Sequence, residues 1–201
     1  MRSRLKLLTG QSLLSPSGDI ARPTTSRVRE ALFNIIREDL PSAHWLDLFS
    51  GSGIISCEAI NNGARRVLSV EKNDGNYQIC KKNISYVSKL NTEKKLFYKV
   101  IKNDSKKILE KGCLKMSLDF QKSFSDIDFR FNFVYLDPPY KFNNIENILK
   151  NLVKGNWLRK KSTIIYETSS KTQLVVPSNW NLYKIKKYGN TFLYFLTPNQ
   201  A

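Results

Sequence analysis

Asp137-Pro138-Pro139-Tyr140 directly follows the apolar run Phe133-Val134-Tyr135-Leu136. Proline has no backbone N–H and fixes its own φ, so the pair stops a strand and holds the next residues in a stiff, extended turn. Asp137 and the Pro138 carbonyl are then two adjacent acceptors, suited to the two hydrogens of an exocyclic amine on a nucleobase. Such a nitrogen is a poor nucleophile because its lone pair is delocalised into the ring. Holding both hydrogens aims that lone pair at an incoming methyl group, which is catalysis by positioning and charge stabilisation rather than by a strong base. Tyr140 would stack on the base, a contact worth about 1–3 kcal/mol. That offsets much of the few kcal/mol, in order of magnitude, needed to unstack a base. Taken alone, the motif is equally a rigid turn after a strand.

A second constellation begins at Asp47, in Trp45-Leu46-Asp47-Leu48-Phe49-Ser50-Gly51-Ser52-Gly53. Gly51 and Gly53, with Ser52 between them, permit positive φ and let a ligand approach the backbone, and a following helix offers unpaired N–H groups. In an open α/β sheet this first crevice is where nucleotide-like ligands bind. Glu71, closing the second strand, is placed to accept from both hydroxyls of a ribose, and Asp104, after the third, from an exocyclic amine such as that of adenine. The dinucleotide fingerprint G-x-G-x-x-G is not met, because Ser56 occupies its third glycine position. S-adenosylmethionine fits better: it carries ribose and adenine without a pyrophosphate, and its ammonium suits Asp47. The structural alternative is a set of tight turns with solvated carboxylates.

These side chains need a scaffold of strand ends. Trp45 to Phe49, Arg66 to Glu71, Leu96 to Ile101, Phe131 to Leu136 and Ser162 to Glu167 read as short apolar strands. Ser52 to Asn61, Asp74 to Leu90, Asp104 to Glu110 and Ile145 to Val153 read as the helices between them. Such alternation predicts a parallel sheet covered on both faces. The fourth strand of that sheet lies beside the first, which brings Asp137 to the cofactor's reactive end. Asn181 to Lys187 and Thr191 to Thr197, around Tyr188-Gly189-Asn190, predict a closing hairpin. Upstream, residues 1 to 21 form a basic, turn-rich arm. Val28, Leu32, Ile35 and Ile36 then recur at helical spacing, predicting an amphipathic helix from Ser26 to Glu38, ended by Pro41. The stretch from Lys111 to Arg130 reads as a loop or insertion. The division expected is an arm and helix over 1–40, contributing to the RNA and cofactor site, and a methyltransferase domain over 41–201.

The chain has 201 residues, enough for a substantial core, and 33 Lys plus Arg against 17 Asp plus Glu leave a net charge of +16. An excess of that size points to a polyanionic partner, nucleic acid first. A compositional bias toward lysine is the alternative. No apolar run approaches the roughly 20 residues of a membrane helix, and the first residues hold no secretory signal, so a cytoplasmic protein is expected. Cys57, Cys80 and Cys113 are widely spaced, with His44 the single imidazole, so no metal site is expected. Nothing in the sequence demands more than a monomer.

The segment Arg22-Pro-Thr-Thr-Ser-Arg27-Val-Arg29-Glu30-Ala-Leu-Phe-Asn34 precedes the glycine turn; Glu58-Ala59, Gly63-Ala64, Asp137-Pro-Pro-Tyr140 and Tyr188-Gly189-Asn190-Thr191 come after it in order. Across residues 20 to 197 this resembles the class I S-adenosylmethionine-dependent methyltransferases, and within them the RsmD type. The resemblance implies a Rossmann-like, mostly parallel seven-stranded sheet with an antiparallel C-terminal hairpin and helices on both faces. It implies S-adenosylmethionine as donor and the N2 of one guanine of 16S ribosomal RNA as target, position 966 in the standard bacterial numbering. Naked RNA and a protein-bearing small subunit are both open as the form of that substrate. Carried over by position, Asp47, Gly51, Ser52, Gly53, Glu71 and Asp104 hold the cofactor, and Asp137, Pro138 and Tyr140 handle the amine. Arg22, Thr24, Arg27 and Arg29 border the cofactor or the RNA, or else cap and pair along the helix. The family usually opens with a short strand and a glycine-containing turn that contact RNA, and Met1-Arg2-Ser3-Arg4 reads as a start partway into it. Rival readings are an adenine-N6 or cytosine-N4 methyltransferase, which shares the D-P-P-Y motif, and a non-catalytic RNA-binding assembly factor.

Overall fold

The computed structural model describes residues 5–16, 24–91, 96–121, 129–139, 142, 144–169 and 174–199, with backbone alone for 118–121. The chain forms two compact units, Met1–Lys102 and Asn103–Ala201.

The first unit opens with a small antiparallel hairpin, β1 (Leu5–Lys6) and β2 (Ser12–Leu13), pairing Leu5 with Leu13 and Lys6 with Ser12. Gly10 in its turn has φ 92°, and Leu7 and Leu13 are buried. A short strand and a glycine-containing turn are thus present within the stretch that reads as a basic, turn-rich arm. Helix α1 (Ser26–Ile35) starts where Thr25 accepts from the Val28 N–H at 3.3 Å, and it buries Val28, Arg29, Leu32 and Phe33. It stops three residues before the expected end: Ile36 leaves the helical region at φ −106°, and Arg37–Asp39 tighten into a 3₁₀ turn.

Three parallel strands follow, β3 (His44–Asp47), β4 (Arg66–Glu71) and β5 (Phe97–Lys102), alternating with α2 (Ile54–Asn61) and α3 (Asp74–Leu90). Register pairs Trp45 with Val67 and Asp47 with Ser69, and Glu71 with Lys102 on the far side of β4. Trp45, Leu46, Val67, Leu68 and Val70 are sealed from solvent, as near-continuous apolar strands require of a sheet covered on both sides.

The second unit holds α4 (Ser105–Lys111), α5 (Cys113–Gln121), β6 (Phe131–Leu136), α6 (Ile145–Lys154) and the strands β7 (Leu158–Ser169), β8 (Trp180–Tyr188) and β9 (Thr191–Pro198). β6 and β7 are parallel, β7 and β9 antiparallel, and β9 and β8 close the expected hairpin around Gly189, at φ 59°. In chain-wide order the seven strands read β5-β4-β3-β6-β7-β9-β8, the mostly parallel sheet with an antiparallel end that the sequence predicts. The loop half of the reading of Lys111 to Arg130 is corrected, because Cys113–Gln121 is helical and buries Cys113 and Met116. Gly112, at φ 81°, separates it from α4, and the Cys113 N–H donates to the Gly155 carbonyl at 2.8 Å. Residues 122–128 lie outside the described residues. Among those described, no helix is long and apolar enough to cross a membrane.

Candidate active site

The turn after β3 is wired into its neighbours. Ser50 donates through its N–H to the Val70 carbonyl at 3.0 Å, and the Gly53 N–H donates back to the Ser50 carbonyl at 2.6 Å. Gly51 donates to Glu71 Oε2 at 2.7 Å, and Glu71 Oε1 accepts from the Asn73 N–H, also at 2.7 Å. One carboxylate therefore braces both the glycine turn and the entry to α3. The two glycines are needed for different reasons. Gly51, at φ 51°, has nothing within 4 Å of where a Cβ would stand, so its side of the turn is open. Gly53, at φ 79°, lies where a Cβ would meet Cys80 Sγ at 2.7 Å and Cys80 Cα at 3.3 Å, so it allows α2 to pack against α3.

Asp47, the last residue of β3, is buried. Its Oδ2 accepts from the Ser56 hydroxyl at 2.8 Å, and Ser56 shares a second 2.8 Å hydrogen bond with Ser69. Among the described residues, Oδ1 has no hydrogen-bond partner within normal geometry. Burial pushes the Asp47 carboxyl up to about 7; the Ser56 hydroxyl and the Phe49 amide pull it down, and the Glu71 charge adds to the rise. A buried carboxylate with an open oxygen is costly unless a cation or donor completes it. An ammonium group such as that of S-adenosylmethionine has the required charge and three donors. The residues present fit that cofactor.

Ser56 was legible only as a departure from the dinucleotide fingerprint, yet its hydroxyl orients Asp47. Ser69 is brought opposite Asp47 by strand register. No local signal in the sequence marks either. The structure brings Asp47, Gly51, Ser52, Gly53 and Glu71 together within the first unit.

Asp104 and Asp137 belong to the second unit. Asp104 is the N-cap of α4, its Oδ1 accepting from the Lys106 N–H at 3.0 Å. Asp137 is the first residue beyond β6 and is half-buried, as is Pro138, while Pro139 is exposed. The Pro139 carbonyl accepts from the Phe142 N–H at 2.8 Å, closing the turn that the prolines start. Two residues before Asp137, the buried Tyr135 hydroxyl donates to Glu167 Oε2 on β7, anchoring the end of β6. Tyr140 lies outside the described residues.

Of the N-terminal candidates, Arg22 also lies outside the described residues. Thr24 is buried and Arg27 exposed. Arg29 takes the pairing alternative, though inward and not along the helix surface. It is buried, with Nη1 donating to Glu58 Oε1 at 2.8 Å and Nη2 to the Lys6 carbonyl at 2.9 Å. A guanidinium spent on a buried carboxylate and a backbone carbonyl is not available to a phosphate.

The family model described as Conserved hypothetical protein 95 matches residues 7–197. The Ribosomal RNA small subunit methyltransferase D of Haemophilus influenzae is 32% identical over 91% of this chain and 86% of its own. The protein of that name from Escherichia coli K12 is 29% identical over 90% of this chain and 81% of its own. Among solved structures, a putative methyltransferase from Escherichia coli superposes with a TM-score of 0.76 at 26% identity, covering 98% of both chains. A putative methylase from Haemophilus influenzae gives 0.73 at 25% identity, over 98% of this chain and 100% of the other. With the family model matched over nearly its whole length and a relative 32% identical, the chain belongs to the Conserved hypothetical protein 95 family, the RsmD family.

Proposed function

We propose that this protein transfers a methyl group from S-adenosylmethionine to the exocyclic N2 of a guanine in 16S ribosomal RNA, the guanine at position 966. The observation that carries the cofactor reading is Asp47, a buried carboxylate at the end of β3, just before the glycine turn, whose Oδ1 has no hydrogen-bond partner among the described residues. The RNA target is supported by relatives named as small-subunit ribosomal RNA methyltransferases and by the +16 charge.

When bound, the cofactor supplies an electrophilic methyl group on its sulfonium. Asp47 holds its ammonium, Glu71 its ribose hydroxyls and Asp104 its adenine amine, while Gly51, Ser52 and Gly53 let the backbone approach. Asp137 and the Pro138 carbonyl accept the two hydrogens of the guanine amine, which keeps the lone pair directed and stabilises the positive charge that grows on nitrogen. Pro139 cannot donate, and its own carbonyl is taken by Phe142, so Pro138 is the carbonyl assigned to the amine. Tyr140 stacks on the base. Residues 1–40 border this site, with Arg22, Thr24 and Arg27 facing cofactor or RNA, and residues 41–201 carry the chemistry. The protein acts in the cytoplasm as a monomer, on free 16S RNA or on the small subunit.

Nucleoside mass spectrometry of 16S RNA from cells with and without the gene tests this reading. Loss of N2-methylguanosine is expected; an unchanged level overturns it. Loss of N6-methyladenine or N4-methylcytosine instead transfers the assignment to the amino-base methyltransferases that share the D-P-P-Y motif. RNA binding by the purified protein without methyl transfer marks an assembly factor.

A further inference from the structure

Asn83, on α3, is buried and makes three hydrogen bonds to backbone far from it in sequence. Its side-chain amide donates to the Ser52 carbonyl at 2.9 Å and to the Leu14 carbonyl at 3.0 Å, while Oδ1 accepts from the Leu14 N–H at 2.9 Å. Ser52 is the middle residue of the glycine turn, and Leu14 directly follows β2. One side chain thus joins the N-terminal hairpin to the turn that is read as the cofactor loop.

A second tie runs in parallel. Glu58 on α2, the helix that grows out of Gly53, accepts from the Leu8 N–H at 2.8 Å and from Arg29. Arg29 in turn holds the Lys6 carbonyl. The hairpin is pinned to the turn through Asn83 and to the helix behind the turn through Glu58, with Leu7 and Leu13 as its apolar plugs. Because a peptide unit is planar, the direction of the Ser52 carbonyl also sets that of the Gly53 N–H. That N–H closes the turn onto Ser50, so the Asn83 bond acts directly on the turn's shape.

We infer that Asn83 is a positioning residue that couples the β1–β2 hairpin to the cofactor turn, so that a seated hairpin and a bound cofactor reinforce one another. The inference rests on the reading of the turn as the S-adenosylmethionine site. It makes the cofactor's affinity sensitive to how the hairpin is seated, and makes the hairpin a lever through which anything gripping it tightens cofactor binding. By linkage the effect is reciprocal.

The test is amide hydrogen exchange over residues 5–15, with calorimetry of S-adenosylmethionine. In the wild-type chain, saturating cofactor should slow exchange at the Leu8 and Leu14 amides by about fivefold or more. In Asn83→Asp, which keeps the side chain's shape and loses both donations, that slowing should vanish at Leu14 even when the cofactor is saturating. Leu13→Ala loosens the hairpin without altering the turn. It should weaken cofactor binding in the wild-type background and have little further effect in the Asn83→Asp background, a non-additivity that a merely structural role does not produce. If Asn83→Asp fails to fold, the wild-type exchange and the Leu13→Ala affinity decide alone. Cofactor binding that leaves hairpin exchange unchanged, or effects of Leu13→Ala and Asn83→Asp that simply add, overturns the coupling while the cofactor reading stands. Absence of any cofactor binding to the wild-type chain overturns both.

Discussion

The turns that end β3 and β6 solve opposite problems with opposite residues. After β3 the chain uses Gly51 and Gly53 at φ 51° and 79°, conformations open at low cost to glycine, and the Gly51 N–H is directed onto the carboxylate of Glu71. After β6 it uses Pro138 and Pro139, which remove N–H groups and leave carbonyls. A glycine turn is a donor surface that must be braced by carboxylates; a proline turn is an acceptor surface that is stiff by covalent structure. The first therefore draws on distant partners, Glu71 and Asn83. The second is closed locally by Phe142 and anchored by Tyr135 and Glu167. In the proposed function, cofactor holding and amine handling divide along the same line.

Substitutions that act on one turn and spare the other break or sharpen that division. Asp137→Ala should lower turnover by about 10²–10³-fold, the usual scale for a lost electrostatic group, while calorimetry finds cofactor affinity nearly intact. Lost affinity would mean that Asp137 also serves the cofactor.

Within the glycine turn, Gly53→Ala should cost about 2–5 kcal/mol of stability, from the left-handed backbone and from overlap with Cys80. Gly51→Ala, with open space at its Cβ, should cost only about 1–2 kcal/mol and instead lose cofactor affinity, because the new methyl enters the open side. Thermal melts and calorimetry on the pair separate packing from ligand approach.

Glu71→Ala removes the brace from Gly51 and Asn73 and should weaken cofactor binding about 10–100-fold, the range for hydrogen bonds to a charged group. Turnover at saturating cofactor should fall much less. An equal fall in turnover would merge the two sites into one.

Asp47 yields the smallest effect and the clearest sign. Its carboxyl is raised from 3.8 to about 7, so between about pH 4 and 7 the folded, ligand-free chain binds more protons than the unfolded one. Its stability therefore declines as pH rises through that window. A cofactor ammonium beside Asp47 favours the carboxylate, so affinity should rise about tenfold from pH 6 to pH 8 and then level off. Titration calorimetry across that range should show the rise, and Asp47→Asn should flatten it.

Much of the scaffold was legible because it is written in local pattern. Arg66–Glu71, Phe131–Leu136 and Asp74–Leu90 fold at the expected residues, since apolar runs and helical spacing act over a few neighbours. The two turns were legible for the same reason, glycine and proline being conformational instructions in themselves. Cys113–Gln121 escaped because it comes directly after a glycine break at Gly112. The start of β7 at Leu158, ahead of the expected Ser162, escaped because Leu158 to Lys161 are mostly basic and carry a positive φ at Lys161, which is no apolar strand pattern.

What the sequence determined alone was therefore the order of elements, the chemistry of the two turns and the residue types at the strand ends. Tertiary structure decided what each polar group does. Arg29 turns inward to Glu58, 29 residues on; Ser56 and Ser69 meet beneath Asp47; and Asn83 reaches back 69 residues to Leu14. No periodicity encodes such pairings. They arise from the demand that a buried polar group find a partner, and which partner stands within about 3 Å, the hydrogen-bonding range, is known only once strands and helices have been brought together.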